Sequence, residues 1–274
     1  MSPPFQARFN RLAAARSPLC VGIDPSAEAL RQWGLGDDPA GLRRFCETLI
    51  DAAAPLVAAV KPQLAFFERF GPAGLAVLRA AVDRAHAHGA LVILDAKRGD
   101  IASTAAAYAE AFLGPASAFA GDAMTASAYL GFASLAPIVA AARREGAGVF
   151  VVVRSSNPEG AGLQRAAMAD GRSVARSLAD DITAENAGDD GPLGAVVGAT
   201  LGPEAGDIAA RLPNALLLVP GIGAQGATIA DVRRDFGPHY RRVIPAISRG
   251  IAGAGPDPAA LRERVARYAA EIRG

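Results

Sequence analysis

The run Leu91-Val92-Ile93-Leu94-Asp95-Ala96-Lys97-Arg98-Gly99-Asp100-Ile101 leads four apolar residues straight into charge. Side chains alternate along a strand, so Asp95 and Lys97 share a face. Each keeps the other ionised, which makes Lys97 a protonated ammonium and a proton donor rather than a neutral base. Gly99 is expected to turn the backbone out of the strand, leaving Asp100 free to reach elsewhere, including across a subunit boundary. A second cation ends another apolar run, Ala58-Ala59-Val60-Lys61-Pro62-Gln63, and Asp24 closes the run that starts at Leu19. Three neighbouring strands would thus converge on an alternating array of Asp24, Lys61, Asp95 and Lys97, with Asp100 close by. Salt bridges at strand ends are the plain alternative, but charges that follow buried residues in this number point to chemistry.

An anion site is the second expectation. Val219-Pro220-Gly221-Ile222-Gly223-Ala224-Gln225-Gly226 and Ile247-Ser248-Arg249-Gly250-Ile251 stand near the C-terminus. Glycines let backbone amides approach an oxyanion, Arg249 adds a planar charged donor, and Gln225 adds an amide. Three glycines alone would serve equally well as a tight turn.

These groups need elements to hold them. Eight short apolar runs end in turn or charged residues: Leu19 to Asp24, Ala58 to Leu64, Leu91 to Lys97, Ala123 to Ser127, Gly148 to Arg154, Ala195 to Thr200, Ala215 to Pro220 and Val243 to Ser248. Between them lie segments of helical period. Pro72 to His88 is closed by Gly89, and an Ala-rich segment begins at an expected Ser103 cap and ends at Gly114-Pro115. Pro137 to Glu145, Ala166 to Glu185, Pro203 to Arg211, Thr228 to Phe236 and Pro258 to Ile272 have the same character. The alternation predicts an α/β fold, a single (β/α)8 TIM barrel over residues 1–274 with a short helical extension at Pro4 to Ala15. An open doubly wound sheet usually has a glycine-rich turn after its first strand, whereas here that strand ends Gly22-Ile23-Asp24-Pro25. In a barrel, the C-terminal strand ends carry catalytic groups and the loops after strands seven and eight bind phosphate, which is where both motifs fall.

Composition narrows the partners. Of 274 residues, 51% are hydrophobic and 20% charged, which suits a large core. A net charge of +1 gives no field to gather nucleic acid or an anionic membrane surface. Two cysteines make no disulfide framework and no Cys/His cluster has zinc spacing, so a cytoplasmic protein without a metal is expected. The apolar stretches fall short of the roughly 18 residues that cross a bilayer. Arg8, Arg11 and Arg16 interrupt the only candidate for a signal peptide.

Asp95-Ala96-Lys97-Arg98-Gly99-Asp100-Ile101 resembles the Asp-x-Lys-x-x-Asp-Ile signature of the orotidine 5'-phosphate decarboxylase family. Lys61-Pro62-Gln63 with Ala65-Phe66-Phe67-Glu68, Ser155-Ser156-Asn157-Pro158, Pro220 to Gly226, and Ser248-Arg249-Gly250 are similar to its longer bacterial branch. The resemblance implies conversion of orotidine 5'-monophosphate to uridine 5'-monophosphate, the last step of pyrimidine nucleotide synthesis, by a homodimer with no cofactor. It implies that Lys97 protonates the ring carbon that loses its carboxylate and that Asp95 faces that carboxylate. Asp100, Ile101 and Thr104 would enter the neighbouring subunit's site, with Thr104 at the ribose. Asp24 and Lys61 would hold ribose hydroxyls, Ser127 the pyrimidine edge, Gln225, Arg249 and Gly250 the phosphate, and Pro220 would border a closing loop. Ala128 stands where proline is expected in Ser-x-Tyr-Leu-Gly. Metal-dependent sugar-phosphate decarboxylases and aldolases of similar barrels share Asp-x-Lys-x-x-Asp, yet have a carboxylate where this chain has Lys61. A non-catalytic phosphosugar-binding barrel would not need the alternating charges.

Overall fold

A computed structural model describes residues 3–187 and 191–274. Eight parallel strands close into a barrel in sequence order: β1 (Cys20–Ile23), β2 (Ala59–Pro62), β3 (Leu91–Arg98), β4 (Ala123–Ala126), β5 (Gly148–Arg154), β6 (Leu193–Val197), β7 (Leu217–Pro220) and β8 (Val243–Ile247). β8 returns to β1, with Cys20 opposite Ala246. All eight expected runs are strands, and the barrel is the expected fold.

The helices are α1 (Phe5–Ala15), α2 (Ala27–Gln32), α3 (Pro39–Ala53), α4 (Ala65–Glu68), α5 (Gly71–Ala87), α6 (Ala102–Phe112) and α7 (Ala136–Glu145). They continue as α8 (Ala161–Gln164), α9 (Val174–Glu185), α10 (Glu204–Ala210), α11 (Ile229–Phe236), α12 (Arg249–Ala252) and α13 (Pro258–Arg273). Packed on the barrel, they bury a continuous apolar layer from Leu19 through Ile272. α1 has a different task. Phe5 and Phe9 are buried with the inward residues Cys20, Ile93, Phe150 and Ile244, so this helix plugs the N-terminal end of the barrel. Arg8 fixes the plug by pairing with Asp122, which also accepts from Val92 N–H at 2.8 Å.

Two local expectations are corrected, and α3 adds to them: Asp38 caps it by accepting from Gly41 N–H at 2.8 Å and Pro39 opens it. Its buried Leu42, Phe45, Cys46, Leu49 and Ile50 keep helical spacing. The segment expected to be helical from Ala166 instead folds back on itself, with Ala167 bridged to Ser173 around Gly171, and α9 starts only after Ser173 accepts from Arg176 N–H. Alanine propensity favoured helix there, but the local hydroxyl cap determines where α9 begins. At α6 the cap position is Ile101, whose side chain makes no capping bond, and Ser103 lies inside the first turn.

The mouth of the barrel departs from regular strand geometry. Leu94 pairs with Met124 but Arg98 with Ala126, so four steps along β3 match two along β4. Asp95, Ala96 and Lys97 occupy this bulge, and Lys97 takes a left-handed φ of 46°. For a residue with a Cβ such a conformation costs roughly 1–2 kcal/mol, and bulges of this kind re-aim side chains near active sites. The chain leaves β3 after Arg98, at Gly99 as expected, but the left-handed φ fall on Lys97 within the bulge and on Ala102, at 44°, not on Gly99. Gly99 is required for another reason: a Cβ there would lie 2.0 Å from the Ser127 carbonyl oxygen. The absent side chain lets the ends of β3 and β4 close on each other.

Candidate active site

Asp24, Lys61, Asp95, Lys97 and Arg249 all lie at C-terminal strand ends. Asp24 follows β1, Lys61 is in β2, Asp95 and Lys97 are in the β3 bulge, Ser127 follows β4, Pro220 ends β7, and Arg249 begins α12 after β8. Parallel registers pair Gly22 with Lys61 and bridge Gln63 to Asp95, which lays the ends of β1, β2 and β3 side by side at the mouth.

Asp95 is the centre of the arrangement. Its Oδ2 accepts from Lys61 Nζ at 2.7 Å and Gln63 Nε2 at 3.3 Å, while Oδ1 accepts from Lys97 Nζ at 2.5 Å and Thr125 Oγ1 at 2.9 Å. A carboxylate offers about four acceptor directions, and all are taken. Burial alone would raise the Asp95 carboxyl, but the Lys61 and Lys97 ammoniums outweigh it and hold it well below the usual carboxylate range. Burial would likewise lower Lys61, yet Asp95 and Asp24 drive it above the ordinary lysine range. Asp95 and Lys61 are 6% and 7% exposed, whereas the Lys97 side chain is half exposed and open to an incoming molecule. Asp24 adds a buried oxygen, Oδ1, with no partner among the described residues. Such an atom is costly unless something outside the chain satisfies it.

One cleft joins the charge array to the anion end. Asp24 and Lys61 line it on one side, and Pro220, Gln225, Ser248 and Arg249 on the other. Gly221, Gly223 and Gly226 have φ of 107°, 80° and 97°, so the tight-turn explanation holds for all three, and of them Gly221 also lines the cleft. Gln225 folds back over this loop: a Cβ at Gly221 would lie 2.8 Å from its Oε1 and 3.5 Å from Ser156 Cβ. Gly250 sits beneath the cleft, where its carbonyl accepts from Arg264 Nη1 of α13 at 2.8 Å. The carbonyl of Ala252 accepts from Trp33 Nε1 at 2.9 Å, so both bonds anchor the turn that presents Arg249.

Asp100, Ile101 and Thr104 are not brought into this cleft. Asp100 Oδ1 accepts from Ile101 N–H at 2.7 Å, and Ile101 is 59% exposed. Ser127 lies beside them, its N–H donating to the Arg98 carbonyl at 2.9 Å, and Tyr129 and Leu130 just beyond are exposed too.

Some residues at the site gave no sign in the sequence. Thr125 and Gln63 contact Asp95, but a hydroxyl and an amide in strands carry no charge signal. Arg154, 4% exposed at the end of β5, pairs with Glu204 at 3.0 Å and donates to the Ser155 carbonyl at 2.8 Å, fixing the turn that carries Ser156. Its signal was available: an arginine ending a strand of five apolar residues needs a buried partner.

Fold and site together define a (β/α)8-barrel enzyme whose mouth sets a lysine–aspartate–lysine array, with Lys61 and Asp95 buried and Lys97 half exposed, near the glycine-rich loop after β7. Residues 17–264 match the model of the orotidine 5'-phosphate decarboxylase / HUMPS family. The chain is 54% identical over 273 residues to the orotidine 5'-phosphate decarboxylase of Streptomyces coelicolor, covering 98% of this chain and 97% of that protein. A crystal structure from Streptomyces avermitilis is 53% identical, with TM-score 0.94 over 99% of this chain and 95% of that one. OMP decarboxylase of Leishmania donovani is 35% identical, with TM-score 0.81 and 98% of each chain covered. The chain belongs to the orotidine 5'-phosphate decarboxylase / HUMPS family.

Proposed function

We propose that this protein removes carbon dioxide from orotidine 5'-monophosphate to give uridine 5'-monophosphate, as a cytoplasmic homodimer and without a metal or organic cofactor. The observation that carries the proposal is Asp95 held between two ammoniums, Lys61 at 2.7 Å and Lys97 at 2.5 Å. A family member that bound a divalent metal at this point would need oxygen ligands, and Lys61 puts a cation there instead.

In the reaction the bond between the ring carbon and its carboxylate breaks, the electron pair stays on the ring carbon, and carbon dioxide leaves. Lys97 then gives a proton from Nζ to that carbon. No cofactor delocalises the carbanion, so the site must lower the barrier by something on the order of 20 kcal/mol, and electrostatics has to supply most of it. Lys97 stabilises charge that exists only once the bond is breaking, while Asp95 stands against the substrate carboxylate, so both act on the difference between ground and transition state. Asp24, with its unpartnered Oδ1, and Lys61 receive ribose hydroxyls. Ser127 takes the pyrimidine edge, and Ala128 beside it replaces the expected proline. Gln225, Arg249 and Gly250 take the phosphate, with Pro220 at the base of a loop that closes over it. Phosphate binding, remote from the bond that breaks, favours the closed site and the exclusion of water.

Asp100, Ile101 and Thr104 act in the partner's site. The exposure of Ile101 and Thr104, with Asp100 half-buried beside them, supports this, as does the exposed apolar pair Tyr129 and Leu130 in the next loop. Among the described residues, no helix is long and apolar enough to cross a membrane.

Substituting Arg249 with alanine tests the phosphate end. Turnover of orotidine 5'-monophosphate, followed by ultraviolet absorbance, should lose at least about a hundredfold in kcat/KM, while the slow reaction of the nucleoside lacking phosphate should be nearly unchanged. Equal losses for both substrates would remove Arg249 from that role.

A further inference from the structure

The bulge in β3 poses a question that the charge array leaves open: what keeps Lys97 aimed at Asp95. Lys97 sits in a left-handed backbone conformation that a lysine does not favour, and the register shift takes its N–H out of the ladder with β4. That N–H donates instead to a side chain, Thr125 Oγ1 of β4, at 2.9 Å. The same oxygen lies 2.9 Å from Asp95 Oδ1. Thr125 is 1% exposed, so water does not compete for either contact.

Donor and acceptor roles are forced. A threonine hydroxyl has one proton, and an ionised carboxylate only accepts. The Lys97 N–H can only donate, so the Thr125 oxygen accepts from it and the Thr125 proton points at Asp95 Oδ1. That is the carboxylate oxygen that also takes Lys97 Nζ at 2.5 Å. A closed ring results, running from the Lys97 backbone through the Thr125 hydroxyl and the Asp95 carboxylate to the Lys97 ammonium. We infer that Thr125 is a positioning residue for the Asp95–Lys97 pair, its single hydroxyl fixing both the bulge that aims Lys97 and the rotation of the Asp95 carboxylate. The inference rests on the decarboxylase function proposed above, in which Lys97 must reach one ring carbon while Asp95 faces the leaving carboxylate. Each contact strengthens the other, since polarising the hydroxyl toward Asp95 makes its oxygen a better acceptor.

Thr125→Val keeps the shape and removes the hydroxyl, Thr125→Ser keeps the hydroxyl and removes a methyl, and Thr125→Ala removes both. With orotidine 5'-monophosphate as substrate, kcat should fall about a hundredfold in the valine and alanine variants with KM within about threefold, because a small misplacement of reacting groups acts on the chemical step. The serine variant should stay within about threefold of wild type in both constants. A purely structural role would follow packing instead, with serine and alanine equally impaired and valine near normal, and that order would overturn the inference. The serine and alanine pair decides the matter if the valine variant does not fold.

A crystal structure of the valine variant, or of the alanine variant in that case, gives a readout independent of turnover. Lys97 should leave the left-handed region and its bond to Asp95 should lengthen or break; an unchanged bulge and ion pair would contradict the inference. Failure of the wild-type protein to turn over orotidine 5'-monophosphate would count against the proposed function, while the crystal structure would still decide whether Thr125 holds the pair.

Discussion

Lys97→Ala should reduce turnover of orotidine 5'-monophosphate by more than about a thousandfold while uridine 5'-monophosphate still binds measurably. In the proposed mechanism, removing the ammonium takes away the proton that completes the reaction and the positive charge beside the developing carbanion, both of which matter only after the bond begins to break. Ground-state contacts from Asp24, Lys61, Gln225 and Arg249, which line one cleft, are left in place. Asp95 keeps Lys61 as a counter-ion at 2.7 Å, so the variant does not strand a buried carboxylate without a cation. Isothermal titration with the product, beside the ultraviolet assay, separates binding from chemistry. Near-normal turnover would remove Lys97 as the proton donor, and loss of product binding would point to a collapsed site.

Two inactive proteins should make an active mixture. Asp100 bonds to its own neighbour Ile101 and does not line the cleft that its chain forms, as the shared site proposed above requires. When Lys97→Ala and Asp100→Ala chains are unfolded and refolded together, a hybrid dimer carries both lesions in one site and neither in the other. Random pairing makes half of the dimers hybrids with one intact site of two, so activity should recover to roughly a quarter of wild type. If subunit exchange is verified and no activity returns, Asp100 acts within its own chain.

Strands and charges were legible for the same reason. A parallel barrel strand is buried on both faces and therefore appears as a short apolar run, and a charge that ends such a run is conspicuous because charged groups avoid the interior. Lys61, Asp95, Asp24 and Arg249 all stood out this way. What escaped notice depends on the third dimension. The β3 bulge looks like continuous strand, since nothing in Asp95-Ala96-Lys97 announces a register shift against β4. Thr125 has the composition of an ordinary strand residue, and its role exists only because the bulge frees the Lys97 N–H. Arg264 supports the Arg249 turn from a helix beginning nine residues later, a pairing that helical period cannot disclose. α3 is different: its Asp38-Pro39 start and spaced apolar residues are plain helix signals, set within the long connection between the first two strands.

The central claim is that charged side chains alone, with no metal, carry the decarboxylation. The most direct test is the turnover of orotidine 5'-monophosphate after exhaustive treatment with EDTA, followed by ultraviolet absorbance in metal-free buffer. Because Lys61 and Lys97 occupy both oxygens of Asp95, the rate should be unchanged by chelation and by added magnesium. Loss of turnover with EDTA and its return with magnesium would contradict the charge-array mechanism and place the protein with its metal-dependent relatives.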